Sequence, residues 1–347
     1  MNMKKLVSLA LALALCLSLA ACGGTNSTPN TTNNNTPSTN DTPSTNDTPG
    51  TNDAQAAKFT VGICQLVQHP ALDMATQGFR DALNEAMPGQ ITFEEQNGNG
   101  DGPTCATIVN GFVASKVDLI LGNATAALQA AVAATSDIPV LGTAITEYGV
   151  ALDLDNFNGT VGGNVSGTSD LAPLDQQAAM FDELLPQAAK IGILYCSAEP
   201  NSVYQANVVK AALEGMGKTV TVYTFADSND VASVTAQACS ENDALYIPTD
   251  NTAASSVEAV NNVAAPAGVP IIAGEESICA GCGIATLSID YYELGRTTGA
   301  MAAKILKGES NISEMPIEYY QNPVKKYNPT LCEQLGITIP ADYEAIS

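Results

Sequence analysis

The sequence predicts an α/β protein made of two similar doubly wound parallel-sheet lobes around a cleft. Three observations predict it. Beyond residue 57, short β-rich runs alternate with helix-length segments, the pattern of βαβ units. The pattern occurs twice, displaced by 130 positions: Gly62-Ile63 is matched by Gly192-Ile193, Pro70 by Pro200, and Ala82-Leu83 by Ala212-Leu213. Six of the eight expected strands also lead into a polar cluster, the place where open parallel sheets bind ligands.

The chain opens on a segment with a different purpose. Lys4 and Lys5 precede the apolar run Leu6–Ala21, which is short for a spanning helix. Basic residues, an apolar stretch and small residues before a cut make an export signal over 1–21. Leu19-Ala20-Ala21-Cys22 followed by Gly23-Gly24 resembles a bacterial lipobox, so Cys22 is the expected lipidation site and its lipid the expected membrane anchor. Residues 22–57 hold the hexapeptide TPSTND at Thr36–Asp41 and Thr42–Asp47, then TPGTND at Thr48–Asp53. Units of that kind have no apolar position to stack, and the composition predicts a disordered Thr/Asn/Pro tether.

The first series of strands is expected at Phe59–Cys64, Ile91–Glu95, Leu119–Leu121 and Val140–Gly142, with helices over Ala71–Ala86, Cys105–Ala114 and Ala126–Thr135. The second series is Lys190–Tyr195, Val220–Phe225, Ala244–Ile247 and Ile271–Ala273, with helices over Ser202–Glu214 and Ala253–Ala264. A helix over Tyr291–Lys307 is expected to return to the first lobe. The predicted organisation is therefore 58–164 with 291–320 as one lobe, 165–290 as the other, and 321–347 as a C-terminal segment. Chain crossings are expected near Gly163–Ser166, Ser288–Asp290 and Glu318–Pro323.

Composition removes several functions. Among 347 residues, 36 acidic side chains stand against 13 basic ones, for a net charge of −23. Nucleic acid needs basic patches and is not an expected partner. The single histidine, His69, has no nucleophile at a suitable spacing, and reads as a capping or hydrogen-bonded loop residue. No P-loop or nucleophile elbow occurs. No catalytic residue, cofactor or metal is expected.

Cysteine usage points the same way. Cys64, Cys105, Cys196, Cys239, Cys279, Cys282 and Cys332 form an odd set once Cys16 and Cys22 are set aside, so they cannot all pair internally. Cys279-Ala-Gly-Cys282 reads as a Gly-rich link between two short strands. Zinc would need two more ligands, and redox chemistry a helix start. A loop disulfide or free thiols remain.

The polar strand ends carry the binding chemistry. Helix N-termini favour an anion such as a carboxylate, and nearby acids (Asp170, Glu199, Asp250, Glu275) suit an ammonium group. The combination fits a zwitterion. Thr125, Thr146 and Asn251 also fit plain helix caps.

The motifs HPALD (His69–Asp73), NGNGD (Asn97–Asp101), NATAALQAA (Asn123–Ala131), TAIT (Thr143–Thr146), GTSD (Gly167–Asp170), SAEPNSV (Ser197–Val203), IPTDNT (Ile247–Thr252) and IDYYELGRTTG (Ile289–Gly299) run in order along the chain. Together they resemble the substrate-binding proteins of ABC transporters of the tryptophan/tyrosine type, with a type I periplasmic-binding-protein fold. The resemblance spans essentially all of 58–347. It implies capture of a small solute of the amino-acid class, with aromatic favoured, and delivery to a permease and its ATPase. A tethered sensor of a signalling system is the alternative on the same fold. The matching cleft positions are Gln65, His69, Thr125, Thr146, Glu199, Asn201, Ser202, Asp250, Asn251 and Glu275. Thr125, Thr146 and Asn251 are expected at the carboxylate end, and Asp250 or Glu275 at the amine. The chain departs from the family at Glu147-Tyr148, where Asp-Pro is usual; Tyr148 there either stacks on an aromatic ligand or blocks the pocket.

Overall fold

The computed structural model describes residues 58–346; the expected leader 1–21, its Cys22 and the tether 22–57 lie outside them. The first run of elements is β1 (Phe59–Gln65), α1 (Pro70–Ala86), β2 (Ile91–Asn97), α2 (Gly102–Ser115), β3 (Leu119–Asn123), α3 (Thr125–Ala134), β4 (Val140–Ile145), α4 (Tyr148–Ala151) and β5 (Val165–Ser169). The second is α5 (Leu174–Leu184), β6 (Lys190–Cys196), α6 (Pro200–Gly215), β7 (Thr219–Phe225), α7 (Val231–Glu241), β8 (Ala244–Ile247), α8 (Asn251–Ala254), α9 (Val257–Ala267), β9 (Ile271–Ala273), α10 (Glu276–Cys282) and β10 (Ala285–Ser288). The chain closes with α11 (Tyr291–Leu306), β11 (Glu318–Tyr319), β12 (Val324–Tyr327), α12 (Pro329–Leu335) and β13 (Glu344–Ala345).

Two sheets result, ordered β2-β1-β3-β4-β5-β11 and β7-β6-β8-β9-β10-β12-β13. Their first five strands follow one pattern, so the internal similarity of the sequence is a similarity of topology. In both, the sheet order reverses at the first strand (β1 or β6), which places a ligand crevice beyond the strand ends there. Strands buried on both faces read as continuous apolar runs. Along β3, Leu119 and Leu121 enter one core layer and Ile120 the other. In the second lobe Ala244 and Tyr246 alternate with Leu245 and Ile247 in the same way.

The strands run past their apolar residues into the polar ends. Gln65 pairs in register with Asn97 on one side and Asn123 on the other, because the parallel ladder continues wherever both neighbours stay extended. The crossing expected at 163–166 falls later. Val165–Ser169 pairs with β4 and belongs to the first sheet, so the chain crosses at 170–173. Residues 321–346 are not a separate segment either: β12 pairs antiparallel with β10, and β13 adds to β12. The helix α11 does return to the first lobe. It packs on α1 so closely that a side chain at Gly78 or Gly295 would collide with the backbone of Tyr292 or Ala75.

Two local expectations are corrected. The single helix over Ala253–Ala264 is two helices, because Ser255 turns its hydroxyl back to the Thr252 carbonyl at 3.0 Å and Ser256 leaves the helical region. The CxxC is not in a link between strands. It occupies the end of α10, whose start is capped by Glu275. Both thiols are buried, and burial pushes both up in pKa, which makes them inert packing groups. All seven cysteines of the described residues are free.

Candidate functional site

The carboxyl ends of the two sheets face each other across a small cavity. It is walled by His69, Leu72, Ala144, Thr146 and Asp170 on one side and Asn201, Thr249, Asp250, Asn251, Ala254 and Glu275 on the other, with Tyr291. No Lys or Arg lines it. Backbone geometry helps shape it. Ala144 adopts a left-handed φ of 54°, where β4 and β5 slip out of register, and this turns the chain toward Thr146. For a non-glycine residue that conformation costs roughly 1–2 kcal/mol.

Of the ten expected residues, the structure brings six to this cavity: His69, Thr146, Asn201, Asp250, Asn251 and Glu275. Four stand elsewhere. Gln65 is spent inside the first lobe, donating to Val67 O and Asp73 Oδ1 and accepting from Thr76 Oγ1 at 2.7–2.9 Å. Thr125 is buried at the start of α3 without reaching the cavity wall. Ser202 donates to Thr249 O. Glu199 accepts from the backbone and side chain of both Asn251 and Thr252, at 2.7–3.0 Å, and so braces the start of α8.

The acids expected at an amine are already occupied. Asp250 accepts from Cys196 N and Ala253 N, both at 2.7 Å. Its burial and the nearby Glu199 carboxylate push its pKa up, while those two amides hold it down. Glu275 accepts from Ser277 N, Ser277 Oγ and Ile278 N at 2.6–2.7 Å as the cap of α10. Asn251, expected at a carboxylate, has its amide nitrogen on Glu199 and its oxygen 3.2 Å from His69 Nε2. These groups wall the cavity but have little left to offer a ligand.

The acid with an unused oxygen is Asp170, in the crossing segment. Its Oδ2 accepts from the Tyr291 hydroxyl at 3.0 Å, and its buried Oδ1 has no partner. Burial pushes its pKa up to about 6, against hydrogen bonds from Thr146 and Tyr291 that favour the charged form. Asp170 stood among the acids near the strand ends in the sequence, yet the crossing was placed seven residues too early to single it out. Asn201 Oδ1 and His69 Nδ1 are also buried without a partner. Three residues with an unused polar atom, from three segments, therefore wall one cavity. The Asn201 amide nitrogen donates to Thr249 O and Glu199, which cannot donate in return, so its free atom is an acceptor.

Tyr148 neither stacks in this cavity nor blocks it. It lies in the core of the first lobe, stacked on Phe157 with its hydroxyl donating to Thr168 O at 3.1 Å. Gly167, at φ 146°, leaves the space that hydroxyl fills. Glu147 caps the short α4.

The family model for ABC transporter substrate binding proteins matches residues 60–345. A tyrosine-binding protein of Clostridioides difficile is 36% identical over 74% of this chain and 75% of its own length. An ABC domain from Streptococcus pneumonia, crystallised in complex with L-Trp, is 33% identical and superposes with a TM-score of 0.80 over 84% of this chain and all of that one. A ligand-free, open substrate binding protein with adhesive properties from Clostridium difficile is 34% identical over 83% of this chain and 99% of its own, with a TM-score of 0.64. With one family model spanning almost every described residue, and two sheets of the type I periplasmic-binding-protein architecture around a cavity, the chain belongs to the ABC transporter substrate binding proteins, which are extracytoplasmic binding proteins and not enzymes.

Proposed function

We propose that this protein captures a free amino acid, with an aromatic one favoured, between its lobes and delivers it to an ABC permease and its ATPase. Cys22 is the proposed lipid anchor to the membrane. The observation that carries the reading is the set of three unused acceptors, Asp170 Oδ1, Asn201 Oδ1 and His69 Nδ1, around a buried cavity without a cation. A primary ammonium has three donors and no acceptor, and its charge meets the Asp170 carboxylate. For the ligand's carboxylate, the first turn of α1, which no side chain caps, supplies the opposite character. The relatives named above for tyrosine and in complex with L-Trp support the aromatic preference.

The test is calorimetry and thermal shift of residues 58–347 with L-tyrosine, L-tryptophan and the other amino acids, set against their deaminated analogues. A ligand selective for the folded state raises the melting temperature by mass action. An amino acid is expected to bind and its deaminated analogue to fail. Equal binding of the two would sink the ammonium reading.

A further inference from the structure

We propose that His69 couples capture of the ligand to closure of the cleft. One ring nitrogen bridges to the opposite lobe while the other accepts a hydrogen bond from the ligand's ammonium. The inference rests on the reading of the cavity as an ammonium site and adds a mechanism to it.

The hydrogen-bond chain determines the tautomer. Glu199 carboxylate oxygens accept from Asn251 N at 3.0 Å and from Asn251 Nδ2 at 2.7 Å. An ionised carboxylate cannot donate, so the amide nitrogen of Asn251 must face Glu199 and its oxygen must face His69. That oxygen lies 3.2 Å from His69 Nε2 and can only accept. Nε2 therefore carries the proton. In a neutral imidazole the other nitrogen is then a lone-pair acceptor, and Nδ1 is buried with no partner in the chain. His69 precedes α1 in the first lobe, while Asn251 opens α8 in the second. The polarity of one buried bond thus runs from Glu199 through Asn251 and His69 to the cavity.

The experiment compares wild type, His69→Gln and His69→Leu with L-tyrosine and L-tryptophan as probes. Affinity is measured by calorimetry, closure by small-angle scattering with and without ligand, and folding by the ligand-free melting temperature. Gln presents a donor and an acceptor; Leu presents neither. Leu is expected to lose about 30-fold in affinity, and Gln to stay within about fivefold. Ligand-induced compaction should shrink in Leu and persist in Gln. Leu binding within about threefold of wild type overturns the inference while the ammonium reading stands. So does an equal loss in Gln and Leu with unchanged melting temperatures. If wild type binds neither probe nor any other amino acid, the ammonium reading fails and takes this inference with it.

Discussion

His69-Pro70 and Glu199-Pro200 occupy the same place in the two lobes, 130 positions apart, each leading from the first strand of its sheet into a helix. Neither side chain caps the helix it precedes. Glu199 turns sideways within its own lobe, and His69 crosses the cleft. Both end on Asn251, the first holding its amide nitrogen and the second its amide oxygen. Duplication supplied two equivalent positions; the side chain decided which became a brace and which a bridge. A carboxylate can gather several N–H and O–H donors at once, whereas an imidazole offers one donor and one acceptor on opposite sides of a ring.

The sharpest way to break the comparison is Glu199→Ala. It strips buried donors on Asn251 and Thr252 of their acceptor, and urea unfolding should show a loss of about 3 kcal/mol. Ligand affinity should fall with it, since Asn251 loses its orientation. Asp170→Asn comes next and acts oppositely on the two properties. Removing the partner of a buried ammonium should cost roughly 100-fold in affinity by calorimetry, about 3 kcal/mol, while the ligand-free protein becomes no less stable at neutral pH.

The same residue predicts a pH dependence. Folding raises the pKa of Asp170 from 3.8 to about 6. Its stabilising contribution is therefore fully present below the unfolded value and is lost as the pH rises through about 6. The ligand-free protein should lose on the order of 3 kcal/mol from this group between acid and neutral pH. Melting curves of wild type and Asp170→Asn across that window should diverge accordingly, and a bound amino acid should close the gap at neutral pH. A smaller effect is expected from Tyr148→Phe, which removes one buried hydrogen bond and should cost about 1 kcal/mol without altering affinity. Smallest of all, Thr125→Ala should leave amino-acid affinity within about twofold, because its hydroxyl is not part of the cavity wall.

Much of the fold was legible because it is written in local periodicity. Apolar runs marked the strands, Pro70 and Pro200 marked helix starts, and the offset of 130 marked the repeat. Strand ends were less legible, since Gln65 and Asn123 are polar residues that stay in the ladder only because their neighbours are extended. The crossing at Asp170 was hidden for a related reason. Val165–Ser169 joins β4, and pairing with a distant strand leaves little trace in a five-residue window. At the site, six of ten expected residues do wall the cavity. Asp250 and Glu275 differ from Asp170 in which amides and hydroxyls reach their oxygens, and no spacing in the sequence shows that.

By itself the sequence determined that this chain has two lobes of one design, with polar strand ends. Periodicity and residue type carry that information, and both are local. Tertiary structure alone decided which acid keeps a free oxygen, which tautomer His69 adopts and where Tyr148 points. Those outcomes depend on hydrogen bonds between residues as far apart as 69 and 251, and on the close packing of a core in which each buried polar atom must find its partner or await one.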